Sequence, residues 1–118
     1  RSRGLGDVYK TQLLTRADET VTLCHRKTPD LATRCRAADI LLAAAGAPGL
    51  ITPECVRPGQ IVLDAGATAL SDGTLRGDVT PAAAAIAACT PVPGGIGSVT
   101  TALLLRHTVQ AAEKSHHF

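Results

Sequence analysis

The chain contains the sequence Ile40-Leu41-Leu42-Ala43-Ala44-Ala45-Gly46, a continuous apolar run that ends at a glycine. An apolar run without polar alternation is typical of a strand that is buried on both faces, as in a parallel sheet. Gln60 to Asp64 form another run of this kind, which stops before Gly66. We therefore predict two central strands of a parallel sheet, each followed by a turn that contains glycine.

Helical patterns separate the strand patterns along the chain. Thr20 to Cys24 is rich in β-branched residues and predicts an earlier strand. The predicted helices run from an Asp30 cap to about Ala38, over a short turn that begins at Pro53, from Pro81 to Cys89, and from about Val99 to Glu113; residues 70–78 are expected to be irregular, with a turn at Ser71-Asp72-Gly73. Strands that alternate with helices indicate an α/β fold: a Rossmann-like, doubly wound parallel sheet with helices on both faces.

In a sheet of this kind, ligands bind beyond the carboxyl ends of the strands. The predicted ends are Cys24-His25-Arg26, Ala45-Gly46 and Asp64-Ala65-Gly66. Asp64 either contacts a ligand or caps the turn that follows it through backbone amides. Since the sequence offers Asp64 no partner, we prefer the cap.

A basic cluster lies where a dinucleotide-binding fold usually has an acidic residue, about 20 positions after its first glycine turn. The turn here contains Gly4 and Gly6, and the cluster is His25-Arg26-Lys27. Basic side chains attract a 2′-phosphate, whereas an acidic residue serves a free 2′-hydroxyl. The cluster therefore favours NADP over NAD; the alternative is a solvated basic turn.

A loop rich in proline and glycine lies between the last two predicted helices: Thr90-Pro91-Val92-Pro93-Gly94-Gly95-Ile96-Gly97-Ser98-Val99-Thr100. The prolines fix φ, and the glycines let the backbone approach a ligand closely. Ser98 is the predicted N-cap of the last helix, so that the amides after it would face a polar ligand. The loop lacks the lysine of a Walker A motif, and because it follows a predicted helix it does not fit the dinucleotide fingerprint. The alternative is a tight connector that only turns the chain.

Composition narrows the classes of function. With 118 residues, of which 45% are apolar, the chain is long enough for one domain with a core. A net charge of +2 and only two aromatic residues, Tyr9 and Phe118, argue against nucleic-acid binding. No run reaches transmembrane length and no signal peptide is visible, which predicts a soluble cytoplasmic protein without a membrane partner. The cysteines lack metal-site spacing and are expected to be reduced thiols.

Taken together, these segments resemble a known family. The loop from Thr90 to Thr100 closely resembles the signature P-V-P-G-G-V-G-P-M-T, which also has a G-S-V-T-T variant, of bifunctional methylenetetrahydrofolate dehydrogenase/methenyltetrahydrofolate cyclohydrolases. Other segments similar to the family's are Thr20 to Thr28 (A-T-V-T-x-C-H-S-K-T), Ala38 to Gly46 (A-D-I-(L/V)-V-A-A-x-G), Asp64 to Thr68 (D-V-G-I-N) and Gly77-Asp78-Val79 (G-D-V). The resemblance covers nearly the whole chain from Thr15 onward.

The resemblance implies that residues 1–118 are the NADP-binding, Rossmann-like domain of an enzyme of one-carbon metabolism. Such enzymes oxidise 5,10-methylenetetrahydrofolate to the methenyl form and hydrolyse it to 10-formyltetrahydrofolate. The implied partners are the tetrahydrofolate substrate, an N-terminal folate domain and a second copy of the chain in a homodimer. The implied cofactor contacts are Arg1, Ser2, His25, Arg26, Lys27, Gly46 and Ala67, and the loop implied to close over folate and cofactor is Pro91, Val92, Pro93, Gly94, Gly95, Ile96, Gly97, Ser98 and Val99. Arg26 replaces the family's serine, and a guanidinium suits a phosphate.

Three departures from the family pattern limit what this chain does by itself. The family's catalytic tyrosine and lysine belong to the folate domain, and Tyr9 and Lys10 do not match their spacing, so no catalytic residue is expected here. The first strand of the sheet is expected before Arg1. Residues 7–12 do not match the family and are similar to a translated sequencing-library adapter, which gives the hypothesis that they are not native. The alternatives are a nucleotide-binding module without catalytic activity and a dehydrogenase for another small substrate.

Overall fold

The structure, a computed structural model, describes residues 12–115. Arg1 and Ser2, which the resemblance implies as phosphate contacts, lie outside the described residues, as do residues 7–11 of the patch that breaks the family pattern. The elements in chain order are a helical segment at residues 12–16, α1 (Leu31–Ala37), β1 (Ile40–Ala43), a 3₁₀ turn (Pro53–Cys55), β2 (Ile61–Asp64), β3 (Thr68–Ala69), β4 (Leu75–Arg76), α2 (Pro81–Ala84), β5 (Ala88–Cys89) and α3 (Ile96–Ser115).

A parallel sheet forms the centre of the fold, with strand order β1-β2-β5. Leu41 pairs with Val62, and Val62 pairs in turn with Cys89. The two apolar runs therefore form two adjacent strands of this sheet, of which β2 is central and β1 is an edge strand among residues 12–115. The α/β class with a parallel sheet is confirmed. Each strand is shorter than its run: Ala44 and Ala45 lie beyond β1, and Gln60 precedes β2.

The buried core lies on one face of this sheet. Leu41, Ala43 and Val62 point to that face, where α1, the 3₁₀ turn and α2 cover them. The fully buried or nearly buried core residues are Cys35, Ala43, Ile51, Cys55, Val56, Val62 and Ala83. On the opposite face Ile40 and Ile61 remain exposed. Within residues 12–115, apolar burial is thus one-sided, and the predicted burial of both faces of these strands is wrong there because no described helix packs on the side of Ile40 and Ile61.

Gln60 and Arg57 fasten α1 to the start of β2. Gln60 is fully buried, and its Nε2 donates to the carbonyls of Cys35 (2.7 Å) and Ala38 (2.8 Å). Its Oε1 accepts the backbone N–H of Arg57 (3.2 Å). A buried amide without hydrogen-bond partners would reduce the stability of the fold, so these bonds favour the structure in which α1 ends next to Gln60. The helix begins next to Asp30 as predicted, although the Asp30 side chain does not cap it.

The prediction of a strand from Thr20 to Cys24 is wrong, since these residues have no regular secondary structure. The local pattern of β-branched residues is present, but a strand also needs a hydrogen-bonded neighbour. Among the described residues the sheet ends at β1, and the segment from Thr20 to Cys24 does not pair with that strand.

The helix predicted from Pro81 to Cys89 starts correctly but ends too late. Its first residues form α2, where the Thr80 hydroxyl accepts the Ala83 N–H at 3.2 Å. The segment then turns into β5, in which the Ala88 N–H donates to the Gln60 carbonyl at 3.1 Å. Alanine has the highest intrinsic helix propensity, but tertiary context overrides propensity, and here the segment pairs with the open edge of β2.

The last helix is longer than predicted, because α3 begins at Ile96 and ends at Ser115. Ser98 is therefore not the N-cap: it lies in the first turn, and its N–H donates to the Gly95 carbonyl at 3.2 Å. None of the residues of α3 is buried, and the described apolar side chains of Leu104, Leu105 and Val109 are exposed. No helix within residues 12–115 combines the length and apolar character needed to cross a membrane.

The segment 70–78, predicted to be irregular, contains the turn and the second strand of a small hairpin, in which β4 pairs antiparallel with β3. The predicted turn lies at its tip, where Asp72 Oδ1 accepts the Thr74 N–H (3.0 Å) and hydroxyl (2.6 Å). These bonds lower the pKa of the Asp72 carboxyl below its usual value. The hairpin follows β2 directly, and it therefore rises at the carboxyl end of the sheet.

Candidate functional site

Two buried aspartates lie at the carboxyl end of the sheet, and the first of them, Asp78, holds the turn after β1. Asp78 is fully buried. Its Oδ2 accepts the N–H groups of Ala45 (2.6 Å) and Gly46 (3.3 Å), and its Oδ1 accepts that of Ala47 (2.8 Å). Gly46 has φ +65°, a conformation that favours glycine. One carboxylate thus fixes three consecutive amides of the turn that contains the predicted cofactor contact Gly46.

The second aspartate, Asp64, is 4% exposed and ends β2. Its Oδ1 accepts the N–H groups of Gly66 (3.0 Å) and Asp78 (3.1 Å), and its Oδ2 accepts that of Val79 (3.1 Å). The predicted cap of the turn after β2 is therefore confirmed. In addition, Asp64 holds the main chain of Asp78, and the two aspartates join three loops into one network.

Glycines make room for this network. A Cβ at Gly66 would overlap the carboxylate of Asp78, and a Cβ at Gly77 would overlap that of Asp64. Contacts this close do not occur in real structures, so any side chain at either position must displace a carboxylate. Glycine is therefore required at both positions, because a carboxylate packs directly against the backbone there. The exposed Ala67 follows directly after Gly66.

The proline-glycine loop starts from the same network. The Thr90 hydroxyl accepts the N–H of Asp64 at 2.9 Å, which ties the beginning of the loop to the end of β2. The Val92–Pro93 peptide is cis, and Gly94 follows with φ +98°. A Cβ at Gly95 would meet the carbonyl oxygen of Pro91. The loop is therefore a specific compact turn, as its prolines and glycines predict.

A cleft of about 400 Å³ opens beside this loop. The residues that line it come from the hairpin, from α2 and the segment before it, from the loop, from the ends of β2 and β5 and from Gly49: Gly49, Asp64, Thr74, Leu75, Arg76, Gly77, Val79, Thr80, Pro81, Ala84, Cys89, Thr90, Pro91 and Val92. Of the predicted folate-side residues, Pro91 and Val92 belong to the lining, and those from Pro93 to Val99 do not. Arg76 contributes a cation, so the cleft suits a ligand with an anionic or polar edge.

The predicted basic cluster is an exposed turn. The N–H of His25 donates to the Thr28 hydroxyl (2.8 Å), and the N–H of Lys27 donates to His25 Nδ1 (3.1 Å). The Thr28 N–H closes the turn on the His25 carbonyl at 2.8 Å. These bonds use backbone groups and the imidazole, while the side chains of Arg26 and Lys27 are exposed. Such a preformed turn with two outward cations fits a phosphate group.

The predicted residues thus fall into two groups. Hydrogen bonds of Asp78 and Asp64 connect Gly46 with the Gly66-Ala67 turn. Pro91 is next to Thr90, whose hydroxyl bonds to Asp64. The hydrogen bonds of the His25–Thr28 turn are internal to it. Sequence reasoning gave no role to Asp78 or Thr90, although the G-D-V match contained the first of them; burial of its carboxylate is a feature that only the three-dimensional structure reveals.

The cysteines are free thiols, as predicted. Burial, and then the proximity of Cys55 and Cys24, raises the pKa of Cys35 from its usual 9.0 to about 11. Burial and the nearby Asp64 raise the pKa of Cys89, which lines the cleft. Over residues 12–115 no cluster of His, Cys, Asp and Glu side chains could hold a metal ion. A thiol held in its protonated form is a poor nucleophile, which argues against a catalytic role for Cys35 and Cys89.

Comparison with known sequences gives a consistent result. The sequence model of the tetrahydrofolate dehydrogenase/cyclohydrolase NAD(P)-binding domain matches residues 1–116. A relative named bifunctional protein FolD 1, from Rhodococcus jostii, is 58% identical over 102 residues, which are 85% of this chain and 34% of the relative. Bifunctional protein FolD of Chloroflexus aurantiacus is 52% identical over 84% of this chain and 35% of its own length. The chain spans about a third of the length of these relatives.

Solved structures with a similar fold have similar descriptions. The Trypanosoma brucei N5,N10-methylenetetrahydrofolate dehydrogenase-cyclohydrolase (FolD), complexed with NADP cofactor and inhibitor, is 41% identical. It superposes with a TM-score of 0.80 over 90% of this chain and 39% of that one. The bifunctional FolD enzyme of Campylobacter jejuni, at 40% identity, has a TM-score of 0.79 over 87% of this chain and 37% of that one.

Proposed function

Since this chain belongs to the tetrahydrofolate dehydrogenase/cyclohydrolase family, as its NAD(P)-binding domain, we propose that it serves a bifunctional enzyme of one-carbon metabolism. The proposed enzyme oxidises 5,10-methylenetetrahydrofolate to the methenyl form and hydrolyses that product to 10-formyltetrahydrofolate. Residues 1–118 bind the cofactor and one side of the substrate. By the family resemblance the catalytic tyrosine and lysine belong to a folate domain, and we propose no catalytic residue within residues 1–118.

The observation that carries this proposal is the compact proline-glycine loop beside the cleft. Thr90 anchors the loop to Asp64, and Pro91 and Val92 line the cleft at the carboxyl end of the sheet. Ligands of open α/β sheets bind at this end. We propose that the segment from Pro91 to Val99 lies against the folate and the nicotinamide and excludes water from the reacting carbon.

We propose NADP as the cofactor of this domain, whose nicotinamide supplies a hydride acceptor when it is bound. The exposed Arg26 and Lys27 would hold the 2′-phosphate, with His25 keeping their turn closed. Gly46 and Ala67 would lie against the dinucleotide, because the turns that contain them leave their backbones accessible at the sheet edge. Arg1 and Ser2 are proposed phosphate contacts from the family resemblance.

The proposed partners are an N-terminal folate domain and a second copy of the chain. Leu104, Leu105 and Val109 give α3 an exposed apolar stripe that suits packing against another domain. Among the described residues, β1 is an edge strand of the parallel sheet. We propose that the family's first strand pairs with this free edge. A cytoplasmic location belongs to the same proposal. A stand-alone nucleotide-binding module is not favoured, because the relatives are bifunctional proteins.

The proposal is tested by assaying the complete protein with 5,10-methylenetetrahydrofolate and NADP. We expect the absorbance of reduced nicotinamide to rise and 10-formyltetrahydrofolate to appear afterwards. The matched control omits the folate and uses the same protein. If NADP is bound but neither product forms in the complete protein, the domain serves another reaction and the proposed function is wrong.

A further inference from the structure

We propose that Asp78 is a positioning residue for the cofactor, through the turn formed by residues 45–47. This inference rests on the proposed function, since it assigns the turn to cofactor binding. It differs from a cap because Asp78 comes from a segment 31 to 33 residues away in sequence. The contact therefore transmits the position of one loop to another.

The geometry leaves the turn little freedom. The Asp78 oxygens accept the three consecutive N–H groups of Ala45, Gly46 and Ala47. A carboxylate accepts such bonds more strongly than a neutral carbonyl does. The carboxylate is fully buried, so it accepts these bonds without competition from water at its own oxygens. The conformation of the turn is therefore set by where this carboxylate lies.

Asp78 is itself held by three contacts. Its backbone N–H donates to Asp64 Oδ1 at 3.1 Å, and its backbone carbonyl accepts the Ile51 N–H at 3.0 Å. Gly66 packs against the carboxylate so closely that no side chain fits there. Asp64 in turn is joined to the proline-glycine loop through Thr90. A change in the Asp78 carboxylate therefore reaches the cofactor turn first.

The test uses Asp78→Asn in the complete protein. Asparagine preserves the shape but replaces one acceptor oxygen by an NH₂ donor, which must face an N–H group of the turn. We expect the Kd for NADPH to rise at least tenfold. In the cofactor-free variant, hydrogen exchange of the amides of residues 45–47 should accelerate more than that of α1.

Two control variants separate positioning from a general loss of stability. Val62→Ala truncates a fully buried core residue that is not part of the network, and it should lower thermal stability while changing the Kd less than threefold. Glu113→Gln changes an exposed carboxylate near the end of α3 and should leave both readouts unchanged. Equal losses of affinity in Asp78→Asn and Val62→Ala would overturn the proposal, as would wild-type affinity in Asp78→Asn.

The exchange measurement keeps this test separate from the test of function. If the unmodified protein does not bind NADPH, the proposed cofactor role fails, and selective exchange in Asp78→Asn still supports the control of the turn by this residue. If Asp78→Asn does not fold, the unmodified protein decides: slow exchange of the Ala45 and Ala47 amides, comparable to β1, supports the proposal. Exchange at the rate of free loop amides contradicts it.

Discussion

At the scale of single residues, burial determines the acid–base behaviour of Cys35. The side chain is 5% exposed, and its pKa is raised to about 11, mainly by burial. Between pH 9 and 11 the unfolded chain therefore loses this proton while the folded chain keeps it. The unfolded state then binds fewer protons, so the free energy of unfolding falls as the pH rises. Below pH 9 the thiol is protonated in both states and adds no pH dependence.

We predict that Cys35→Ala reduces this loss of stability between pH 9 and 11. Denaturant unfolding of the wild type and the variant at several pH values measures it, with Val56→Ala as the control because Val56 is buried in the same core and has no titrating group. The wild type and the control should lose more stability over this range than the variant. Parallel curves for all three proteins would show that Cys35 titrates normally in the folded state.

At the scale of elements, the glycines of the loop and of α3 have opposite roles. A Cβ at Gly95 would meet the carbonyl of Pro91, whereas no atom lies within 4 Å of a Cβ at Gly97. We predict that Gly95→Ala lowers the free energy of unfolding by roughly 1–3 kcal/mol through backbone displacement. Gly97→Ala, in the first turn of α3, should raise it by up to about 1 kcal/mol. Urea unfolding compares the two variants, and similar values for both would refute the described loop geometry.

The elements also show how far sequence reasoning reaches. Apolar runs predicted β1 and β2 because every position from Ile40 to Ala43 and from Ile61 to Leu63 is apolar. The segment from Thr20 to Cys24 and the strand β5 were mispredicted because pairing with a distant strand, and not local propensity, determines their structure. Ser98 was misplaced as a cap because the loop closes earlier, at Gly95.

Local sequence patterns also predicted part of the candidate site. The residue types at the carboxyl ends pointed to Gly46 and Asp64, and the family resemblance pointed to the loop after Thr90. The link between them required Asp78, whose role depends on contacts between segments more than 30 residues apart. Distances of this kind are not encoded in local patterns.

At the scale of the whole molecule, α3 is the element whose packing the described residues leave open. Leu105 is 63% exposed. If a folate domain covers this stripe, its burial contributes roughly 1.5–3 kcal/mol for one leucine. We therefore predict that Leu105→Asp destabilises the complete protein by several degrees in Tm relative to Gln110→Asp, which changes another exposed position on the same helix. Equal Tm values for the two variants would show that the stripe remains in solvent.

The central claim, that this domain binds NADP through its basic turn, is tested most directly by calorimetric titration of the complete protein with NADPH and with NADH. We compare the wild type with Arg26→Ala and with Arg36→Ala, a control arginine exposed in the last turn of α1. Wild type and control should bind NADPH at least tenfold more tightly than NADH, and Arg26→Ala should lose most of that difference. Equal affinity of the wild type for both cofactors, or an unchanged preference in Arg26→Ala, would contradict the account.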